Sequence, residues 1–273
     1  MCLMGATFPS GTFFAEKSPK DAWYLDFVEQ YDQLITEGDA AMWKRFLALL
    51  ICCAFLWTPV GAVRQEKLVA LTFDDGPSGR FTRRLLDGLA QRDVKATFLL
   101  CGYRIAQYPK LTQRIFQENH EIGLHGYSHR SMQAMSPKEL TRELEETLAL
   151  LPVGCPVVFL RPPGGLCSQC TQAVAKHLDL SILYWSVDPK DWEIHDAKAI
   201  EKDVLGKVRD GDVILMHDLS DSSVDAALAI VDALQKRGFR FVTVSELAQA
   251  RNIALVPGKK YSRFHPSDSE NIK

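Results

Sequence analysis

The chain has 273 residues, 47% of them hydrophobic and 24% charged, an ordinary globular balance with length for one large domain or two small ones. Its formal net charge of −2 leaves no electrostatic footprint for nucleic acid, which is excluded as a partner. No block of like charges marks an interaction tail, and no internal repeat is present.

In chain order, the first distinctive segment is "MWKRFLALLICCAFLWTPVGA", residues 42–62. Lys44 and Arg45 precede an apolar run from Phe46 to Trp57, and Gly61 and Ala62 close it with small side chains. That is the layout of a secretory signal peptide. The run falls short of the roughly 20 residues a membrane-spanning helix needs. Read on to Val63 it approaches that length, so an uncleaved anchor is the alternative, and the only membrane contact expected. A buried core helix is the plain reading. Residues 1–41 precede this segment, and Met42 stands where translation would begin. They are expected to be a misassigned extension or, if translated, a tail before the anchor. The rest is then exported, to the cell surface or beyond. Residues 63–250 form its domain, and residues 251–273 read as a polar tail without a strong period.

Cys2, Cys52 and Cys53 fall in the leader, which leaves Cys101, Cys155, Cys167 and Cys170. An even number in an exported domain points to disulfides, with three pairings open. "CSQC" lacks a second Cys or His pair at finger spacing, which argues against structural zinc.

From residue 67, β-rich runs alternate with amphipathic stretches. The strand candidates are 67–73, 95–100, 121–125, 157–160, 182–187, 212–217 and 239–244. Between them, residues 136–151 open on Ser136 and Pro137 and repeat Leu140, Leu144, Leu148 and Leu151 at helical spacing. Residues 222–238 also open on Ser and close on Gly. Seven strands alternating with helices predict an α/β fold with a parallel sheet covered on both faces, as an open sheet or a barrel.

In such folds ligands bind beyond the carboxyl ends of the strands. Asp74 and Asp75 follow the first strand, and "HGYSH" (125–129) ends the third. "RPPGG" (161–165) follows the fourth, "DPKDW" (188–192) the fifth, and His217 ends the sixth. Ionisable residues thus gather on one face, where chance turns would scatter them. His125 and His129, four apart, share a face if their segment is helical, within reach of one metal. Two imidazoles and one carboxylate leave a position open for water. A second aspartate then serves as general base, and His217 protonates the leaving group. Arg161 and Asp191 read as the partners that orient these two. The set suits metal-assisted hydrolysis of an amide or ester.

"TFDDGP", "HGYSH", "RPPGG", "DPKDW" and "LMH" stand in the same order as the five motifs of the polysaccharide deacetylases, carbohydrate esterase family 4. From about Lys67 to Leu247 the chain resembles that family, which includes chitin, chitooligosaccharide, peptidoglycan and acetylxylan deacetylases. The resemblance implies an irregular (β/α)7 barrel as a single catalytic domain. It implies Asp74 as catalytic base, with Asp75, His125 and His129 as ligands of a divalent metal, usually zinc, sometimes cobalt or nickel. Arg161 would orient the base, and Asp191 would pair with the general acid His217. A backbone N–H near Gly164 would stabilise the oxyanion, and Trp192 and Leu215 would line the pocket for the acetyl methyl. The implied function is removal of acetyl groups from N-acetylglucosamine or N-acetylmuramic units of peptidoglycan or a chitooligosaccharide by a monomer. The alternatives are an O-deacetylase such as an acetylxylan esterase, or a silent glycan-binding domain. The chain departs from the family at Gly164, where an aromatic residue is common, and at Gly126, where Ser or Thr is usual. "CSQC" after "RPPGG" is also unusual, and a disulfide there would stiffen the loop.

The remaining candidates read more plainly. Asp188 fits a turn before Pro189, Trp185 fits the core, and His120, His177, His195 and His265 fit the surface. Tyr103 and Tyr127 are candidates for a sugar groove.

Overall fold

Among the described residues, eight strands, all paired in parallel, alternate with eight α-helices. In chain order they are β1 (Lys67–Asp74), α1 (Gly79–Gln91), β2 (Thr97–Leu100), α2 (Gly102–Gln107), α3 (Pro109–Gln117) and β3 (Glu121–Leu124). Next come α4 (Pro137–Leu148), β4 (Phe159–Leu160), α5 (Gln169–His177), β5 (Ser181–Leu183) and α6 (Ala197–Lys207). Last come β6 (Val213–His217), α7 (Asp221–Lys236), β7 (Phe239–Phe241), α8 (Val244–Ala250) and β8 (Lys260–Tyr261). The structure, a computed structural model, describes residues 66–265. The expected extension 1–41, the signal or anchor segment 42–62 and the end of the tail lie outside the described residues. Among the described residues, no helix is long and apolar enough to cross a membrane.

The sheet runs β6-β1-β2-β3-β4-β5-β8, and β7 pairs with the start of β1. It curls with its helices into the irregular (β/α)7 barrel that the family resemblance implies, where the strand pattern alone left an open sheet or a barrel. Single bridges, Val187 to Ile214 and Asp212 to Arg263, narrow the gap between the β5–β8 side and β6.

Alternation along β1 divides the core. Val69, Leu71 and Phe73 face the layer that holds Leu85, Leu89, Ile230 and Val231 of α1 and α7. Leu68 and Ala70 face the barrel interior with Phe159, Leu183 and Phe264. Period 2 then sends Thr72 and Asp74 into the interior as well. A parallel strand covered on both faces needs such a continuous apolar run.

Two expectations are corrected by the packing. Residues 251–265 are not a loose tail: β8 pairs with β5, and Ile253, Tyr261 and Phe264 are buried in the interior cluster. Phe264 stacks on Tyr261 at 5.7 Å, and burying such a ring contributes roughly 1.5–3 kcal/mol. The described cysteines, Cys101, Cys155, Cys167 and Cys170, are free thiols rather than disulfides. Cys101 is fully buried, Cys155 packs on the outer layer, and Cys167 and Cys170, the latter in α5, pack against the cluster of Leu140, Leu144 and Val174.

Candidate active site

Sheet register sets the first relationship. Asp74 ends β1 directly across from His217, which ends β6. Asp74 is buried, and Arg161, fully buried, donates from Nη1 to its Oδ1 at 2.6 Å. Arg161 also donates to Thr72 Oγ1 (2.8 Å) and to the carbonyls of Leu183 and Tyr184, and its guanidinium lies over Trp185. Removing either partner would leave a buried unpaired charge, at about 3–5 kcal/mol.

Asp75 lies just past the strand with φ of 69°. This left-handed conformation is uncommon outside glycine and tends to cluster at functional sites. It turns the Asp75 carboxylate toward the histidines instead of away from them. His125 Nε2 is 3.2 Å and His129 Nε2 2.9 Å from Asp75 Oδ1. Burial acts to raise the Asp75 carboxyl, but the two imidazoles outweigh it and hold the group far below the usual range.

The segment carrying the histidines is not helical, contrary to the simplest reading of their spacing. His125 follows the end of β3, and the chain then loops, with positive φ at Gly126 (80°) and His129 (59°). The loop brings the imidazoles to 5.1 Å between ring centroids, much as a helical turn would have done.

This cluster fits a cation. Its three ligand atoms lie within 4.8 Å of one another. Asp75 Oδ1 is buried with no hydrogen-bond partner of good geometry, and the two imidazole Nε2 atoms face it. His125 Nδ1 is bonded to the carbonyl of Arg161 at 2.7 Å, which fixes its Nε2 toward the cluster. Two imidazoles and a carboxylate match the donor set of an open zinc site.

On the other flank, Asp191 is buried. Its Oδ1 accepts from His217 Nδ1 and its Oδ2 from the His217 backbone N–H, both at 2.8 Å. Burial opposes the charged imidazolium, but Asp191, aided by Asp74 and Asp75, overcomes this and pushes the His217 pKa up to about 9. With Nδ1 engaged, Nε2 is left for chemistry. Leu215, two residues earlier on β6, shares its face with His217 and is buried, whereas Trp192 is 57% exposed. Gly164 has φ of 63°, and a Cβ there would meet nothing within 4 Å.

The remaining candidates sort clearly. Asp188 accepts from the Lys190 N–H and shapes a turn. Trp185 is half-buried beneath Arg161, and Tyr103 is exposed. His177 and His195 are exposed, and His265 approaches Asp212. His120, expected on the surface, is instead buried: its Nδ1 accepts from the Ala96 N–H and its ring meets Phe98 edge-on. Burial, with Lys95 and Arg114 nearby, pulls its pKa down to about 4.

Sequence reasoning missed three contributors. Thr72 shares Arg161 with Asp74. Asp218 is fully buried, accepts from Thr82 Oγ1, and its carbonyl accepts from Ser78 Oγ. It thereby ties the turn after Asp75 to β6, and burial pushes its carboxyl up to about 6. Glu143 is buried beneath the histidine loop. A charge beside Leu140 and Leu144, on the apolar face of α4, was the signal that could have found it.

Fold and site together define an irregular (β/α)7 barrel with a two-histidine, one-carboxylate cation site at the carboxyl ends of its strands. Residues 61–183 match the family described as polysaccharide deacetylase. The chain is 36% identical over 195 residues to a peptidoglycan-N-acetylglucosamine deacetylase of Bacillus cereus, covering 69% of this chain and 91% of that protein. It belongs to the polysaccharide deacetylase family. It is also 34% identical over 216 residues to the peptidoglycan-N-acetylglucosamine deacetylase PgdA of Listeria monocytogenes, covering 78% of this chain but 45% of that protein. The chain thus spans about half the length of that longer relative. Among solved structures, a family 4 acetyl xylan esterase from Clostridium thermocellum in complex with a cobalt ion aligns with a TM-score of 0.68 and 32% identity, covering 72% of this chain and 98% of that one.

Proposed function

We propose that the protein is a metal-dependent hydrolase that removes acetyl groups from N-acetylated sugars of peptidoglycan or a chitooligosaccharide. The observation that carries this reading is the opposed pair, Asp74 on Arg161 and His217 on Asp191, flanking the cluster of Asp75, His125 and His129. A divalent cation held by those three residues, zinc by the donor set with cobalt or nickel as substitutes, supplies Lewis-acid polarisation of the acetyl carbonyl and a lowered pKa for water. Arg161 donates to Asp74 Oδ1 and so orients the carboxylate, leaving Oδ2 to take the proton of the attacking water. The hydroxyl adds to the carbonyl carbon, and the backbone N–H near Gly164 steadies the charge on the carbonyl oxygen. The carbon–nitrogen bond then breaks as His217 Nε2 gives its proton to the leaving amine. The products are acetate and a free amino sugar. Leu215 and Trp192 contact the acetyl methyl.

The cobalt-bound esterase neighbour supports a second reading, O-deacetylation, which the same groups would perform on an ester. The complete set of acid, base and ligands argues against a silent glycan-binding domain. Export, to the cell surface or beyond, and a monomeric state belong to the same reading. Export rests on residues 42–62.

The test is acetate release by the purified, metal-stripped protein with and without added zinc or cobalt, on peptidoglycan, chitooligosaccharide and acetylxylan. Metal-dependent release from one of the first two supports the proposal, and release from acetylxylan alone supports the esterase reading. Asp74→Ala should abolish turnover. Binding of glycan without release, with metal bound, would overturn the enzymatic reading.

A further inference from the structure

Glu143 comes from α4, far along the chain from either histidine, and touches neither imidazole. The residue is 6% exposed, and its carboxylate is spent on the segment between them. Oε2 accepts from the Tyr127 N–H and the Ser128 N–H, each at 2.9 Å, and from Ser128 Oγ at 3.0 Å. Oε1 accepts from Ser128 Oγ at 2.9 Å and from Arg130 Nη2 at 3.3 Å. One acceptor-only group therefore binds three of the four residues from Tyr127 to Arg130.

That segment needs holding. It leaves β3 through a left-handed Gly126 and ends with His129 itself at φ 59°, a conformation that residues with a Cβ avoid. The Gly126 and Tyr127 carbonyls accept from the Gly102 and Tyr103 N–H groups at the start of α2, at 2.9 and 3.0 Å, and the N–H groups of Tyr127 and Ser128 are left to Glu143. Without the carboxylate, the Tyr127 and Ser128 N–H groups would lose their partners, and the part of the loop beyond Tyr127, which α2 does not hold, would be free to relax. His125 is anchored separately, through Nδ1 on the Arg161 carbonyl, so the relaxation would fall on His129.

We propose that Glu143 is a positioning residue that sets the site's affinity for its cation by holding His129 in register with His125 and Asp75. This rests on the reading of Asp75, His125 and His129 as ligands. Residues that orient ligands without touching the metal typically change affinity by about 10–100-fold when removed.

A glutamine keeps the shape but offers one acceptor oxygen. With that oxygen toward Tyr127 and Ser128, its amide NH2 faces the Arg130 guanidinium, donor against donor. An alanine removes the acceptor altogether. The experiment titrates zinc into metal-stripped full-length wild type, Glu143→Gln and Glu143→Ala against a competing chromophoric chelator, with circular dichroism confirming that each is folded. Expected is a loss of affinity of about tenfold for Glu143→Gln and approaching 100-fold for Glu143→Ala, with activity restored by excess zinc. A purely structural role would lower the melting temperature and leave the folded protein's zinc affinity alone. Folded Glu143→Gln binding zinc as tightly as wild type overturns the proposal, whether or not Glu143→Ala folds. Wild type taking up no zinc overturns the ligand reading itself, and the proposal with it.

Discussion

Two carboxylates carry the opposed ends of the site, and each is fixed by one partner. Arg161 orients Asp74 and Asp191 holds a proton on His217. An acid with a pKa pushed up to about 9 stays protonated through neutral pH and fails only as pH rises past that value. In Asp191→Asn the amide no longer stabilises the imidazolium, so the pKa falls back toward its ordinary value near 6.5. The alkaline limb of kcat/KM should move to lower pH by more than one unit, and the rate at pH 7 should fall about fourfold, since a pKa near 6.5 leaves roughly a quarter of His217 protonated there. A pH–rate profile checks this, and an unmoved alkaline limb would remove His217 from the role of acid. At this scale the sequence was informative wherever a residue's chemistry depended on its place at a strand end, as for Asp74, Asp75 and His217. It was silent on groups brought in from elsewhere in the chain. Glu143 looked like one more charge on a helix, and His120 like a surface imidazole, because burial is a property of the packed molecule.

The elements were legible where local chemistry decides them. Helix α4 begins where Ser136 and Pro137 place it. Its capping box is complete, with Ser136 accepting from the Glu139 N–H and the Glu139 carboxylate accepting from the Ser136 N–H. Ser136→Ala should cost about 1 kcal/mol in denaturant unfolding and leave kcat unchanged, since the cap lies at the far end of the turn from Glu143. A comparable loss in kcat would mean that α4 moves as a body with the histidine loop. Strand ends were harder to read. The run 239–244 looks like one strand, yet β7 stops at Phe241 because Thr243 and Glu246 form a capping box that starts α8. The run 182–187 leaves the sheet after Leu183, where the carbonyls of Leu183 and Tyr184 turn to Arg161. The histidine pair had the right spacing for the wrong reason: a loop with two left-handed residues does what a helical turn was expected to do.

For the whole molecule, alternating strands and helices announced a parallel α/β fold but left open whether it is a sheet or a barrel and how it closes. Neighbours in the sheet are set by packing, and the closing segment has neither helical nor strand period. Ile253, Tyr261 and Phe264 are spaced irregularly and make sense only as a plug for the interior. Ending the chain at residue 250 should therefore lower the unfolding free energy by several kcal/mol and the midpoint with it, to judge from the apolar area exposed. Equilibrium unfolding beside the full chain measures this, and an unchanged midpoint would show that the plug adds nothing. The same segment has a consequence for how copies of the protein meet. β8 covers the outer side of β5. Strip it away and β5 presents a row of unpaired amides and carbonyls, a template that any passing strand can extend. The last two-residue strand thus acts as a guard as well as a plug, and its loss would show first as self-association in light scattering rather than as a missing activity.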